Sequence, residues 1–243
     1  MPTATQSIRE IVATHPSASA VLQRFDIDLC SQGNSSLDRA CAELQLSIDQ
    51  VLEKLADAEA GEEREGSADP ATFSMLRLIQ HIVRVHHQYI RRELPRLAAM
   101  SRKLGGKHGQ RAPELIKVEW LLEELSAEMF AHIEKEEQIL FPFIAHMEVE
   151  PGEAYSTAGA CFRSVAQPVS MMMREHESAG RIVAELRKLT GGFETPAWGC
   201  ATHLAFYAGL RGFEADLGQH VHLENDVLFP RAIEMEGALN HRV

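Results

Sequence analysis

The sequence predicts an all-α protein, an antiparallel four-helix bundle preceded by a small helical N-terminal domain. Three observations predict this class. Apolar residues recur at helical spacing over four long stretches, Gly and Pro cluster in the gaps between these stretches, and the alternation typical of strands is scarce. Helices of this length joined by short or medium loops are typical of such bundles. The four stretches cover roughly residues 71–104, 112–147, 168–190 and 197–236.

The first 56 residues are expected to form the small helical domain. Apolar residues keep helical spacing up to a break at Pro16, and Ser36 is a candidate N-cap for a helix that begins at Leu37. Residues 57–70 are charged and almost lack large apolar side chains, which favours a linker or exposed loop, with a helix end as the alternative. The bundle is then expected over residues 71–238.

Four of the prolines in the predicted bundle helices indicate where a helix begins, bends or ends. Pro168 suits the first turn of the third helix, where the missing N–H has no helical partner in any case. Pro95, Pro142 and Pro230 lie inside or late in helical stretches, and each is expected to kink or end its helix.

Composition and charge exclude several classes of protein. The 243 residues carry a formal net charge of −11 without a basic stripe, which argues against binding to nucleic acid or to an anionic membrane. The sequence contains no apolar run of about 18 residues and no N-terminal secretory pattern, so we expect a cytoplasmic protein. The four cysteines are scattered without a C-x-x-C pair, which argues against a disulfide framework and against a cysteine-based zinc site.

One motif is written twice, at residues 132–142 and 220–230. Each copy reads His-x-x-x-Glu, then two residues, then a β-branched residue and Leu-Phe-Pro, and the copies are 88 residues apart. On a helix this spacing places His132 with Glu136, and His220 with Glu224, on one face. A histidine and a glutamate on an apolar stripe are costly to bury unless a partner such as a metal ion satisfies them.

Each copy of the motif has a histidine upstream at nearly the same interval. His87 precedes His132 by 45 residues, and His176 precedes His220 by 44. The duplication predicts a site for two metal ions, one per half of the bundle, with the two glutamates bridging them. Nitrogen and carboxylate ligands with open positions suit iron better than a closed structural zinc site, although residue type also admits manganese or zinc.

The sequence therefore predicts six metal ligands: His87, His132, Glu136, His176, His220 and Glu224. His81 and His86 are alternatives on the first helix, either as ligands or as core or surface residues. Glu128 precedes His132 by one turn and Glu175 adjoins His176. These two carboxylates either relay protons and tune the site or are solvated helix charges.

Four segments resemble the hemerythrin-like di-iron domain of iron–sulfur cluster repair proteins. They are HHQYIRRELP at 86–95, HIEKEEQILFP at 132–142, EHESAG at 175–180 and HVHLENDVLFPRA at 220–232. Carried over position by position, the resemblance implies the same six ligands. It also implies two iron ions per chain with an oxo or hydroxo bridge.

Residues 26–41, DIDLCSQGNSSLDRAC, resemble the small N-terminal domain of the same family. That domain carries two adjacent cysteines followed by glycines. Cys30 matches the first cysteine, whereas Ser31 and Gln32 replace the second cysteine and the first glycine. The vicinal dithiol is absent, so Cys30 is either a single redox thiol or an inert small residue, and Cys41 can compensate only if it lies near Cys30.

The resemblance implies a cytoplasmic di-iron protein of the nitrosative and oxidative stress response. Such a protein repairs damaged iron–sulfur clusters, by donating iron, and its partners are damaged or apo iron–sulfur proteins. The alternative is a hemerythrin-like protein that binds, scavenges or senses nitric oxide or oxygen, with nitric oxide reduction as a related activity. We expect a repair or donor protein rather than a turnover enzyme. The sequence also allows a homodimer. The third function hypothesis is a structural four-helix bundle without metal.

Overall fold

The computed structural model describes residues 2–15, 18–27, 29, 32–63, 69–149 and 164–240. Their regular structure is helical, apart from one isolated antiparallel bridge between Ser7 and Ser36. The predicted all-α class is confirmed. No helix among these residues is long and apolar enough to cross a membrane.

The eleven α-helices of the described residues are α1 (Ile8–Thr14), α2 (Ala18–Arg24), α3 (Leu37–Glu43), α4 (Ile48–Glu63), α5 (Met75–Ile82), α6 (Gln88–His108), α7 (Glu114–Lys135), α8 (Phe141–Val149), α9 (Ala166–Leu189), α10 (Ala201–His222) and α11 (Phe229–Asn240). Three π-helical turns continue the backbone without a break from α5 to α6, from α7 to α8 and from α10 to α11. They span Val83–His87, Glu136–Leu140 and Leu223–Leu228.

The chain divides into two compact units, each assembled from segments that are far apart in sequence. The first unit contains Met1–Ser67, Arg96–Glu119 and Leu189–Gly212, and the second contains Ala68–Pro95, Trp120–Lys188 and Phe213–Val243.

The N-terminal helices of the first unit begin and end close to the predicted positions. Helix α1 starts with a capping box, in which Ser7 N–H donates to Glu10 Oε2 (2.9 Å) and Glu10 N–H donates to Ser7 Oγ (3.2 Å). The helix ends before the predicted break at Pro16, which itself lies outside the described residues. Ser36 precedes α3 with extended backbone angles, but its hydroxyl donates to the Asp38 carboxylate and caps no first-turn amide.

The stretch predicted as a linker is partly helical. Helix α4 continues to Glu63, so residues 57–63 are helical rather than a loop. This agrees with the alternative prediction that the stretch contains a helix end. Alanine and glutamate dominate this stretch, and both have high helix propensity. Residues 64–68 lie outside the described part of the chain. A short 3₁₀ helix follows at Pro70–Thr72, where Ala71 N–H donates to Asp69 Oδ1 (3.0 Å).

The bundle consists of four helical rods, numbered in chain order: α5 with α6, α7 with α8, α9, and α10 with α11. The second unit contains a part of each rod, and the rods form antiparallel pairs there. At the start of α5, the amides of Met75 and Leu76 donate to the carboxylate of Glu148 near the end of α8 (2.9 and 2.7 Å). Just before α9, Val165 N–H donates to Glu236 near the end of α11 (2.8 Å). The first rod therefore starts beside the end of the second rod, and the third rod starts beside the end of the fourth. Apolar side chains such as Leu78, Ile82, Ile144, Leu228 and Phe229 fill the core between the rods.

Among the described residues, none of Pro95, Pro142 and Pro230 ends its helix. Pro168 lies in the first turn of α9, as predicted, and Pro95 lies inside α6. Pro142 and Pro230 are each the second residue after a π turn. In these turns Phe141 and Phe229 donate to carbonyls five residues back, at Glu136 and Glu224. The extra residue of the π turn gives the proline ring room where a regular α-turn would produce a clash with the preceding turn.

Candidate metal centre

All six side chains predicted as metal ligands lie together inside the second unit. Each of the four rods contributes at least one of them, and none of the six is more than 4% exposed. The two glutamates sit in the π turns, at the first position of one turn and the second of the other. A π turn shifts the helical register by one residue, and such turns are frequent at functional sites.

One pair of imidazoles joins the second and third rods. His132 Nε2 and His176 Nε2 are 2.9 Å apart. Glu136 Oε2 lies 3.3 Å from His132 Nε2, and Glu224 Oε2 lies 3.0 Å from His176 Nε2. These contacts gather two nitrogens and two carboxylate oxygens around one position.

A second pair joins the first and fourth rods. His87 Nε2 and His220 Nε2 are 3.3 Å apart. Glu136 Oε2 lies 3.4 Å from His87 Nε2, and Glu224 Oε1 lies 2.8 Å from His220 Nε2. Both carboxylates therefore reach both histidine pairs. Glu224 offers a different oxygen to each pair, whereas Glu136 places a single oxygen between them.

The histidines do not pair within the sequence halves, as the expectation of one metal position per half implied. Each histidine pair combines the upstream histidine of one half with the motif histidine of the other, as His132 with His176 shows. The intervals along the chain revealed that the halves are duplicated. They contain no information on which rods face each other at the level of the site, and this packing decides the pairing.

The donor set fits a metal better than it fits a metal-free core. Both carboxylate oxygens of Glu136, together with Glu224 Oε2, are buried without a hydrogen-bond partner among the described residues. Leaving buried carboxylate oxygens unpaired is costly, and a cation among them removes that cost. Two groups of four of these side chains each place one donor atom within 4.8 Å of the others. Imidazole nitrogen and carboxylate oxygen together are a ligand set that iron accepts.

Comparison with known proteins places the chain in a family. A family model described as the hemerythrin HHE cation binding domain matches residues 78–232. The probable iron-sulfur cluster repair protein of Haemophilus influenzae is 31% identical over 233 residues, covering 96% of this chain and 99% of that protein. This chain belongs to the hemerythrin-like iron–sulfur cluster repair family.

Other comparisons agree over nearly the whole chain. The iron-sulfur cluster repair proteins YtfE of Enterobacter sp. strain 638 and of Pectobacterium atrosepticum are 33% and 34% identical to it. Each comparison covers 95% of this chain and 98% of the relative. A second family model, described as a domain of unknown function (DUF542), matches residues 4–59.

Charge in the centre of this family member is balanced between imidazoles and carboxylates. Burial by itself lowers the pKa of His87, but the neighbouring carboxylates of Glu136 and Glu224 raise that pKa to about 10. Burial also lowers the pKa of His132, and the charge of Glu136 raises it to about 9. Although burial opposes ionisation of the two glutamates, the surrounding imidazoles keep the pKa of Glu224 well below its usual range.

In three of the imidazoles, a hydrogen bond from Nδ1 orients the ring so that its Nε2 faces the centre. His87 Nδ1 donates to Glu137 Oε1 (2.8 Å), and Arg91 holds the same carboxylate with contacts of 2.8 and 3.0 Å. His176 Nδ1 donates to Asn225 Oδ1 (3.0 Å). Because Glu137 and Asn225 each follow the glutamate of the motif, the repeat encodes these two anchors at equivalent positions.

The third anchor is one of the two outer carboxylates considered from the sequence. His132 Nδ1 donates to Glu175 Oε2 (2.9 Å), and Lys135 also bonds to the Glu175 carboxylate. Glu128 is half-buried and forms no hydrogen bond with the six side chains in the part of the chain that the structure describes. The two carboxylates considered from the sequence therefore differ, because among the described residues only Glu175 forms a hydrogen bond with a side chain of the centre.

The histidines considered as alternatives on the first rod stay outside the centre. His86 is buried, but its Nδ1 bonds to Asp216 Oδ1 (2.9 Å) and its ring stacks on His220 with 5.8 Å between centroids. His81 makes edge contacts with the rings of Phe73 and His86. Cys30 lies outside the described residues.

The sequence patterns that predicted the ligands did not identify the roles of Asn225 and Glu137. The signal for both was available, because each is the residue directly after the glutamate of the repeat. Side chains at these two positions can accept a hydrogen bond, and they do so from the upstream histidine of their own half.

Proposed function

We propose that this protein is a cytoplasmic di-iron protein of the stress response that repairs damaged iron–sulfur clusters by donating iron. One observation carries the proposal: a buried centre of four imidazoles and two carboxylates in a chain that matches iron–sulfur cluster repair proteins over almost its entire length. The proposed partners are damaged or apo iron–sulfur proteins.

The proposal assigns the ligands of two iron ions that share an oxo or hydroxo bridge. His132 and His176 hold one iron, His87 and His220 hold the other, and Glu136 and Glu224 contact both. This assignment is supported by the two pairs of Nε2 atoms, 2.9 and 3.3 Å apart, each of which has an oxygen of both glutamates within 3.4 Å of one of its nitrogens. Bound iron would supply a cation that can change oxidation state and that a damaged cluster can accept.

The surroundings of the centre favour a site that survives the loss of its metal. The carboxylate of Glu137 is held by Arg91, and that of Glu175 by Lys135, so the imidazoles are oriented by contacts within the protein. Ligands that are preorganised in this way can release iron and accept it again without refolding the rods.

The proposed organisation includes a small domain over residues 1–56, a linker over 57–70 and the metal-binding bundle over 71–238. Two separate family matches, over residues 4–59 and 78–232, support a division of the chain near the proposed linker.

A second candidate function is binding, sensing or reduction of nitric oxide or oxygen. Each proposed metal position has two imidazoles and oxygens from two carboxylates, which leaves room for a small ligand beside the protein ligands. This arrangement favours a hemerythrin-like activity that leaves the iron in place.

Transfer of iron decides between the two functions. The protein is purified without oxygen, its iron is counted by metal analysis and characterised by Mössbauer spectroscopy, and it is then mixed with an apo iron–sulfur protein. Donation predicts that iron leaves this chain as the cluster forms on the acceptor. Retention of all iron while nitric oxide binds and dissociates would replace donation by the second function.

A further inference from the structure

A second cluster of metal-ligating side chains lies in the first unit. His108 is the last residue of α6, Cys200 immediately precedes α10, and His203 lies in the first turn of α10. One donor atom from each lies within 4.8 Å of the other two. Cys200 Sγ is 3.6 Å from His203 Nδ1, and the two imidazole centroids are 4.8 Å apart. None of these residues belongs to the histidine and glutamate centre.

The turn that carries Cys200 is fixed against the rest of the first unit. The carbonyl of Cys200 accepts a hydrogen bond from Leu204 N–H (3.2 Å), which places Cys200 at the N-cap of α10. Gly199 N–H donates to Pro196 O (2.7 Å), and the Arg9 guanidinium donates to Gly199 O. The sulfur is thus held beside the helix start, where a negative charge is stabilised by the helix dipole.

Gly199 allows the turn to approach the histidine closely. A Cβ at this position would lie 2.8 Å from Thr195 Cγ2, 2.9 Å from Pro196 O and 3.3 Å from His203 Cβ. Any larger residue would push the turn outward and separate Cys200 from His203. The glycine is therefore required by the close approach of these two side chains.

Two ring nitrogens in the cluster lack partners. The Nε2 atoms of His108 and His203 are buried without a hydrogen bond among the described residues, and the His203 side chain is 0% exposed. Trp198 packs edge-on to His203 at 5.0 Å between ring centroids and gives its nitrogens no partner. A pair of packed core histidines would leave these polar atoms unsatisfied, which is costly, whereas a bound ligand can satisfy them.

Both imidazoles are in the form that binds metals. Burial lowers the pKa of His203 to about 4. Burial also lowers the pKa of His108, and the positive charges of Lys107 and Arg111 add to this effect. The two rings are therefore neutral near pH 7, and a cation does not have to displace a proton from either one.

We propose that His108, Cys200 and His203 form a second metal site, which takes a borderline-soft divalent cation of the Zn²⁺ class. Thiolate and imidazole are the ligands that such cations prefer, while the other centre contains no sulfur. Three protein ligands leave a fourth position for water or an exogenous ligand. The absence of a C-x-x-C pair from the sequence led to the prediction that the protein has no cysteine-based zinc site. This cluster needs only one cysteine, in a C-x-x-H pair, and its third ligand comes from a distant helix.

Cobalt tests the site, because Co²⁺ replaces Zn²⁺ and reports sulfur ligation through a charge-transfer absorption in the near ultraviolet. Full-length protein is stripped of metal with a chelator and titrated with Co²⁺. Co²⁺ in the histidine and glutamate centre is silent in this band. We expect the band to saturate at one Co²⁺ per chain and to disappear when Zn²⁺ is added.

Cys200→Ala is expected to abolish the band, while the matched control Cys41→Ala, which removes a buried thiol on α3, retains it. His108→Gln is expected to weaken the Co²⁺ affinity reported by the band by roughly tenfold or more. Absence of the band from the wild-type protein, or an equal band in Cys200→Ala, overturns the proposal. If Cys200→Ala does not fold, an unchanged affinity in His108→Gln overturns it equally.

Discussion

At the scale of single residues, the centre depends on which nitrogen each histidine presents. The Glu137, Glu175 and Asn225 side chains accept from Nδ1 of three histidines, which leaves Nε2 of each ring to face inward. His220 differs, since its Nδ1 is buried without a hydrogen bond among the described residues. The duplicated motif thus fixes the inward-facing groups in both halves, but the outer contacts of the two halves have diverged.

Removing one inward-facing group should remove iron. His132→Ala or Glu224→Ala deletes a donor that lies within 3.3 Å of another donor of the centre. We expect fewer than two iron ions per chain in each variant, as measured by metal analysis after anaerobic purification. His222→Ala is the matched control, because His222 lies two residues from His220 on the same rod but its side chain is 60% exposed. Two irons per chain in both ligand variants would refute the ligand set.

Removing an outer anchor should weaken iron binding without deleting a ligand. Glu175→Ala frees the His132 ring, and loss of such an anchor typically lowers metal affinity about 10–100-fold. Glu128→Ala provides the comparison, since both residues are partly buried glutamates near the centre and only Glu175 contacts a ligand. Competition with a chelator of known affinity measures the change. Equal iron affinity in the two variants would show that Glu175 does not position His132.

At the scale of helices, the duplication extends beyond the metal ligands. Glu148 and Glu236 are 88 residues apart, as the motif histidines are, and each lies near the end of a rod. Each carboxylate accepts hydrogen bonds from backbone amides at the start of the neighbouring rod. Backbone amides at a helix start have no partner within the helix, and a carboxylate both satisfies them and interacts favourably with the helix dipole.

These capping carboxylates should contribute measurably to stability. Glu148→Ala or Glu236→Ala leaves backbone amides at the start of a rod without their acceptor, and we expect each to lower the free energy of unfolding by about 1–2 kcal/mol. Glu234→Ala is a matched control on α11, because Glu234 is exposed. Denaturant titration followed by circular dichroism gives the values. A decrease no larger than in the control would mean that water replaces the carboxylates at no cost.

At the scale of the whole molecule, the sequence predicted what is encoded locally and missed what depends on packing. The rods and the inward-facing side chains follow from helical spacing and from a motif written twice. The pairing of His132 with His176 could not be predicted, because it depends on which rods are neighbours. The cluster of His108, Cys200 and His203 was missed for the same reason, since two helix ends far apart in sequence meet only in the folded first unit. The π turns also escaped prediction, because prolines within a helix are usually read as breaks.

Removal of the metal should lower the thermal stability of the second unit without unfolding it. The apolar core between the rods is built from side chains other than the six ligands, and Arg91 and Lys135 hold the outer carboxylates without metal. We therefore expect chelation of iron to leave the helical circular dichroism unchanged and to lower the melting temperature, because a ligand bound only to the native state stabilises it by mass action. Adding Fe²⁺ back should restore the melting temperature in proportion to occupancy. The double variant His132→Ala with Glu224→Ala serves as the control. Chelator and Fe²⁺ should shift its melting temperature less than they shift that of the wild-type protein. Loss of helical signal on chelation would show that the metal, rather than the core, holds the rods together.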